Sequence, residues 1–197
     1  MSESFTITSW LGTIEKRTFF SQSARKNKRM IREQALEHLK TQGAKSGELV
    51  QFSWFVFRLT ETDSELDIET LDFRETASFT KDFEQVEQIH AAQVQVLQQE
   101  QVDPEFCNLR QCAICSKSYA AGSPQAFITR IGPAEEAEAG WYVGVNDDPL
   151  DVDNPQNLSI KSLYEICTRD RRFLPYWLLP QGYRVAFGGE EPEIVRE

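Results

Sequence analysis

The longest periodic stretch of this chain predicts a helix over residues 79–101 that closes a first folding unit. Apolar side chains recur there at helical spacing, whereas Gln and Glu fill most of the other positions. The predicted inward face comprises Phe83, Val86, Ile89, His90, Val94 and Leu97. Pro104 ends the helix, because a proline disfavours helical geometry in the residue before it. We therefore expect two domains, residues 1–105 and residues 106–197.

The first of these units carries further strand and helix patterns. Alternating apolar residues predict a strand over residues 5–10, and an apolar stripe predicts a helix over residues 23–42. A dense aromatic and β-branched run predicts a buried strand over residues 49–59. The pattern continues as a strand at residues 66–71, after an acidic turn.

The second unit begins with short strand patterns. We predict strands over residues 112–117, 126–131, 140–145 and 183–187, with a surface loop at residues 132–140. Residues 158–168 read as a helix with Ser159 as its N-cap. Since strands and helices do not alternate strictly, the expected class is α+β: two small domains, each an antiparallel sheet with one or two packed helices.

Charge limits the kind of partner. The net charge is −10, and residues 41–105 hold 4 basic and 14 acidic side chains. Residues 1–40 hold 8 basic and 4 acidic side chains, and residues 106–197 hold 9 and 13. An acidic chain repels phosphate backbones, so we expect a basic protein as partner and no nucleic acid. The alternative is that the acidity serves solubility alone.

One basic run stands against this trend. Arg25–Arg29, together with Arg32, is a candidate nucleic-acid contact. Aromatic residues are not interleaved with it, so we favour pairing within the chain, with the acidic segment 61–75.

Four cysteines raise the question of a metal. Cys112 and Cys115 have the spacing of a zinc knuckle, which Cys107 and either Cys167 or a histidine would complete. The intervening Ala and Ile favour a strand, where the two thiols point to opposite faces. We predict buried structural cysteines, no metal and no cofactor.

Catalytic signatures are sparse. The sequence has two histidines, His38 and His90, both on predicted helices. It contains no nucleophile-elbow, phosphate-loop or zinc-protease motif. We expect a protein that is not an enzyme. No apolar run is long enough to span a bilayer and no secretion signal is recognisable, so we expect it in the cytoplasm, away from membranes.

Residues 112–189 carry an ordered set of short motifs. Cys115-Ser-Lys117 is followed by Arg130, by Gly140-Trp141 with Gly144, and by Asp153-Asn-Pro155. The order continues with the predicted helix from Leu158 to Cys167 and ends with Pro175 and Leu179-Pro-Gln-Gly182. In order and spacing this set resembles the immunity protein 33-like domain family of bacterial polymorphic-toxin systems.

The resemblance implies a small α+β domain that neutralises a toxin by direct binding, without a cofactor. Most of the shared positions are expected to shape the fold rather than the binding surface: Ser116, Lys117, Gly140, Trp141, Gly144, Pro155, Pro180 and Gly182. Residues 1–105 carry no such resemblance.

For the binding surface we single out the loop that contains Asp147, Asp148, Asp151 and Asp153. Prolines stiffen this loop. Its four carboxylates create a local negative field that steers a basic toxin surface toward the domain. Two alternatives remain open at this point. One is a regulatory or housekeeping binding module; the other is a zinc- or nucleic-acid-associated protein that uses Cys112, Cys115 and the basic run.

Overall fold

The computed structural model describes residues 30–41, 43, 45–62, 65–75 and 77–196. The predicted strand over residues 5–10 and the run Arg25–Arg29 lie outside these residues. The described elements are α1 (Met30–Thr41), β1 (Leu49–Phe52), β2 (Phe55–Thr62), β3 (Glu65–Leu71), β4 (Phe79–Thr80), α2 (Glu84–Glu100), β5 (Cys112–Ser116), β6 (Ala126–Arg130), β7 (Glu138–Val145), β8 (Leu158–Ser162), α3 (Leu163–Arg169), β9 (Tyr183–Ala186) and β10 (Glu193–Arg196). The predicted α+β class is confirmed.

Strands β1 to β4 form a four-stranded sheet in which spatial order follows chain order and every neighbouring pair is antiparallel. Helix α1 contributes Ile31, Ala35 and Leu39 to the core, and their spacing of four places them on one face. The stripe predicted within residues 23–42 therefore packs as expected over its described part.

The prediction of one buried strand over residues 49–59 is wrong at its centre. Ser53 and Trp54 form a turn between β1 and β2, and Ser53 adopts a left-handed φ of 57°. Although Trp54 belongs to this turn, its side chain is fully buried. The run contains no Gly, Pro, Asn or Asp, so Ser53 is the only residue in it that favours a turn.

Helix α2 confirms the predicted helix from Glu84 to Glu100, but the predicted start at residue 79 is wrong, because Phe79–Thr80 form strand β4. It ends at Gln101, whose left-handed backbone directs the N–H groups of residues 101 and 102 to the carbonyls of Gln98 and Leu97. In the described ranges, no helix is both long enough and apolar enough to cross a membrane.

The second sheet has six strands in the order β10-β9-β6-β7-β5-β8. All of its neighbouring pairs are antiparallel except β5 and β7, which run parallel. Ala113, Cys115, Ile128, Val143 and Val185 lie on one face of this sheet and are buried. Because β5 and β7 run parallel, their C-terminal ends lie at the same end of the sheet.

The predicted helix over residues 158–168 is wrong in its first half. Residues 158–162 form strand β8 beside β5, and α3 starts at Leu163 with Ser162, not Ser159, as its N-cap. The Ser162 hydroxyl accepts the Glu165 N–H at 3.1 Å. Apolar and polar residues alternate from Leu158 to Lys161, which is the period of a strand.

Several contacts join the two halves of the chain. The Tyr164 hydroxyl accepts the Ala77 N–H at 2.9 Å, and Arg171 donates to the Phe73 carbonyl at 2.8 Å. From α2, the buried Gln93 amide donates to the Leu174 carbonyl at 3.1 Å. The division into two domains near residue 105 stays a prediction. If the two halves separate, these hydrogen bonds between them must break.

Candidate binding surface

The positions that carry the family resemblance fall into two places. One group surrounds Arg130 at the end of β6, where the chain approaches β9. The other supports the acidic loop, residues 146–157, between β7 and β8. The residues around Arg130 are largely buried and stabilise the fold. The residues that support the acidic loop fix the position of the candidate surface.

Arg130 is the centre of the first group, with 1% of its surface exposed. One terminal nitrogen donates to the carbonyls of Glu105 at 3.1 Å and Trp177 at 3.2 Å. The other nitrogen donates to the Glu105 carboxylate at 2.9 Å. A buried guanidinium needs such partners, because an unpaired charge in the core is strongly destabilising.

Trp141 packs against this guanidinium. The centre of the Arg130 guanidinium lies 5.5 Å from the ring of Trp141, and Trp177 meets the same indole edge-to-face at 5.2 Å. The Trp141 N–H donates to the Trp177 carbonyl at 3.3 Å. Trp141 is therefore a core residue, as the sequence predicts.

Two glycines of the shared motifs allow the backbone to close around Arg130. Gly140 has a φ of +71°, and a Cβ there would lie 2.0 Å from the Gly132 carbonyl oxygen. Gly182 has a φ of +85°, and its N–H donates to the Arg130 carbonyl at 3.0 Å. Pro180, half-buried, lies in the turn that Gly182 closes. Each of these positions shapes the fold.

Gly144 has a different reason. A Cβ at this position would come within 2.8 Å of the Phe127 ring and 2.7 Å of the Tyr142 ring. The glycine therefore leaves room for aromatic packing on the sheet face opposite the core.

Asp148 anchors the acidic loop to the end of β5. Its carboxylate accepts from the Ser116 hydroxyl at 2.5 Å, the Ser118 hydroxyl at 2.7 Å and the Leu150 N–H at 2.9 Å. Burial acts to raise the pKa of Asp148, but these bonds outweigh it, and the pKa lies below its ordinary value. Asp148 thus holds the loop in place, with its carboxylate turned inward.

A second anchor lies at the end of the loop. Lys117 donates through its backbone to the Asn157 carbonyl at 2.9 Å and through its ammonium group to the Gln156 carbonyl. Pro155 opens a 3-10 turn there, and the Asn154 side chain caps it by accepting the Gln156 N–H at 3.0 Å. Ser116, Lys117 and Pro155 together fix the loop from both ends.

The other three aspartates of the predicted surface are exposed: Asp147, Asp151 and Asp153. Val152, between two of them, is 44% exposed. The structure therefore brings together an outward carboxylate set with one apolar side chain, held by the anchors just described. Of the four residues predicted to meet a partner, Asp148 is the most strongly bound within the protein, while the exposed Asp151 carboxylate accepts only the Asp153 N–H at 3.0 Å among the hydrogen bonds of the described residues.

The cysteines are thiols in or beside the core. Cys115 is fully buried and Cys112 half-buried, as expected for residues on opposite faces of β5. Burial raises the pKa of Cys107 to about 11 and that of Cys115 to about 12, and it raises the pKa of Cys167 well above its ordinary value. Among the described residues, no group of three or more His, Cys, Asp or Glu side chains is arranged to hold a metal ion.

The two histidines do not meet at a common site. His90 is 5% exposed on α2, and burial lowers its pKa to about 4. His38 lies on α1 with its ring centre 5.3 Å from that of Phe52. Both histidines lie on helices, as predicted.

Arg32 is the described member of the predicted basic group. It pairs with Asp67 on β3, and Lys81 pairs with the same carboxylate at 3.1 Å. Pairing with the acidic segment 61–75 is therefore confirmed for this arginine.

Two features escaped the sequence reasoning. The partner of Arg130 is Glu105, 25 positions away, and the local pattern around either residue gives no sign of it. The second is Ile160, 76% exposed on β8, because that segment reads as a helix. The alternation of apolar and polar residues from Leu158 to Lys161 is the sequence signal that indicates a strand there.

Comparison with known proteins agrees with the motif order. The model of the Imm33-like domain matches residues 92–197, which is more than half of the chain and extends the resemblance into α2. No curated protein and no solved structure matches the chain significantly. The chain belongs to the Imm33-like domain family.

Proposed function

We propose that this protein is a non-catalytic immunity protein that neutralises a toxin domain by direct binding. The observation that carries the proposal is the family match over residues 92–197. Several side chains of the types that often act in catalysis lie in the core: Cys107, Cys115 and Cys167 are buried thiols, and His90 is 5% exposed. Neutralisation by binding requires no reactive side chain, so the burial of these residues is compatible with the proposal.

The exposed carboxylates of the acidic loop favour a basic partner surface. Asp147, Asp151 and Asp153 add their field to a chain of net charge −10. Charge of this kind speeds association with a positive surface. We propose a basic toxin domain as the partner, blocked by occlusion of its active surface within the cytoplasm, with neither nucleic acid nor membrane as a ligand.

A second function is favoured by one observation. Residues 30–91 lie outside the family match, yet they build a complete four-stranded sheet with α1. A regulatory or housekeeping module would use that part of the chain to recognise a different ligand. A toxin gene adjacent to the gene for this protein favours immunity, whereas a neighbourhood without one favours the module.

The direct test starts from an affinity pull-down in the native cell, followed by co-expression of the captured protein in a sensitive host. We expect the captured protein to arrest growth alone and to be harmless with wild-type immunity protein present. We also expect a stable complex of the two purified proteins. A captured protein that shows no toxicity, or a toxicity that persists despite complex formation, would overturn the proposal.

A further inference from the structure

Within the described residues the six-stranded sheet has two edges, β10 and β8, and β8 pairs only with β5. Edge strands are usually protected by outward charges, prolines or bulges, since their unpaired backbone groups invite another strand. Here Ile160, at the middle of β8, is 76% exposed. Its neighbour Lys161 has 27% of its side chain exposed and lies 3.9 Å from Glu165. The middle of the edge therefore presents an apolar residue instead of a protecting charge.

The register of β8 shows which backbone groups point outward. The bonds Lys117 N–H to Asn157 carbonyl and Leu163 N–H to Gln111 carbonyl, each 2.9 Å, bracket the ladder. Bonded pairs recur at every second residue of an antiparallel ladder, so Cys115–Ser159 belongs to the bonded set. The N–H and carbonyl of Ile160 consequently face away from β5, where a new strand would meet them.

The acidic loop ends beside this edge. It leaves β7, crosses the end of β5 where Asp148 is bound by Ser116, and reaches the start of β8. There the Asp151 carbonyl accepts the Asn157 side-chain amide at 2.9 Å. Asn157 immediately precedes Leu158, so the exposed Asp151 and Asp153 lie at the end of the sheet where β8 begins.

We propose that β8 is the docking edge for an extended segment of the toxin partner, which adds antiparallel to β8. The segment carries an apolar residue opposite Ile160 and lysine or arginine residues toward its C-terminal end, where antiparallel addition places them near Asp151 and Asp153. Main-chain bonds supply affinity in this mode, and side-chain contacts supply selection. This inference rests on the proposed immunity function and deepens it.

A basic segment fits this edge better than a second copy of the chain. Two copies would bring together molecules that each carry a net charge of −10, which repel one another. A lysine- or arginine-bearing strand instead reduces the negative field of Asp151 and Asp153. The experiment below tests this choice of occupant by comparing peptides of opposite charge and by looking for a dimer of the protein itself.

The test uses the full chain and a synthetic peptide of alternating Val and Thr that ends in three Lys residues. Binding is followed by fluorescence anisotropy and by amide chemical shifts. We expect the shifts to concentrate at residues 158–162 and at Val152, and the affinity to fall at high salt. A peptide ending in three Glu residues should not bind. N-methylation of alternate peptide amides should weaken binding about tenfold or more, because it removes main-chain donors.

Two matched variants locate the site. Ile160→Thr removes the exposed apolar side chain but keeps strand propensity, and we expect it to weaken peptide binding several-fold. Ile131→Thr removes another isoleucine, 55% exposed beyond the end of β6, and should leave binding unchanged. Absence of binding, shifts away from β8, equal binding of the Glu peptide, or a peptide-independent dimer through β8 would each overturn the proposal.

Failure of this inference is distinguishable from failure of the proposed function. If a captured toxin is neutralised equally well by wild type and Ile160→Thr, the docking edge is wrong and immunity stands. If the Lys peptide docks on β8 but the captured protein shows no toxicity, immunity is wrong and the docking edge stands as a strand-binding site.

Discussion

The guanidinium of Arg130 meets the carboxylate of Glu105 at 2.9 Å, and this ion pair joins the end of β6 to the segment that follows α2. The same carboxylate accepts the Gln181 N–H at 3.0 Å. One acidic side chain thus connects three segments that are far apart in sequence. The Arg130 side chain is fully buried, whereas the Glu105 side chain is 31% exposed, so the arginine depends on this partner more than the reverse.

Removing that partner should destabilise the fold. We expect Glu105→Ala to lower the free energy of unfolding by about 3 kcal/mol, because it leaves a buried charge with carbonyl partners alone. Urea unfolding followed by tryptophan fluorescence measures the change. The control is Glu136→Ala, an exposed residue of the β6–β7 loop, for which we expect a change within about 0.5 kcal/mol. Equal stability of the two variants would show that the ion pair is dispensable.

Gly140 provides a second stability test, with Gly122 as its matched control. Both have positive φ, +71° and +80°, but a Cβ at position 122 meets nothing within 4 Å. Gly122→Ala should therefore cost about 1 kcal/mol, for the backbone conformation alone. Gly140→Ala adds a collision with the Gly132 carbonyl and should cost about 2–4 kcal/mol in all. Similar losses in the two variants would mean that the close approach relaxes freely.

The pH dependence of stability tests the burial of His90. Its pKa is about 4 in the folded protein against 6.5 ordinarily, so between these values the unfolded chain binds a proton that the folded chain does not. Stability must then rise with pH across this window, by at most roughly 3 kcal/mol. His90→Gln should flatten the slope between pH 4 and 6.5, and His38→Gln should retain it. A slope that survives in His90→Gln would assign it to other groups.

The predicted boundary near residue 105 is tested by limited proteolysis. Residues 135–137 are exposed in the β6–β7 loop, whereas Glu105 is held by Arg130 and Cys107 is buried. We expect early cuts at residues 133–138, with cuts at 101–108 following more slowly. Two stable fragments after the second cut would support separate folding units. Rapid loss of both fragments would show that the bonds between the halves maintain one cooperative structure.

Local patterns were sufficient to predict α2 and most of the strands, because each depends on periodicity within a few residues. They failed at β8, since Leu158, Leu163, Ile166 and Cys167 also fit a helical face. Tertiary pairing with β5 decides that segment. They also gave no sign that Arg130 is buried, because arginine is normally exposed and all but one of its hydrogen-bond partners lie 25 or more positions away.

For the candidate surface, the sequence predicted the negative charge of the loop but not the orientation of its side chains. Four aspartates close in sequence indicate a negative loop, but their orientations depend on contacts outside it. Ser116 and Ser118, at and just beyond the end of β5, turn the Asp148 carboxylate inward, and the pairing of β5 with β8 places the loop beside a free edge. These relationships exist only in the folded sheet.

The acidic loop is tested by association kinetics with the captured partner. We expect the triple variant Asp147→Asn, Asp151→Asn and Asp153→Asn to slow association about tenfold at low ionic strength and little at high ionic strength, since long-range attraction is screened by salt. Dissociation should change less. The matched control is Glu190→Gln, Glu191→Gln and Glu193→Gln, which removes three exposed charges next to or on β10, the opposite edge.

Asp148→Asn separates steering from loop support. Because its carboxylate is bound by Ser116 and Ser118, this variant should lose stability, and any fall in affinity should appear in dissociation through a loosened loop. If the acidic-loop triple variant associates at the wild-type rate with the same salt dependence, Asp147, Asp151 and Asp153 do not steer the partner. If the Glu triple variant slows association equally, the effect belongs to net charge. Steering by the loop requires that the loss follow its three outward carboxylates.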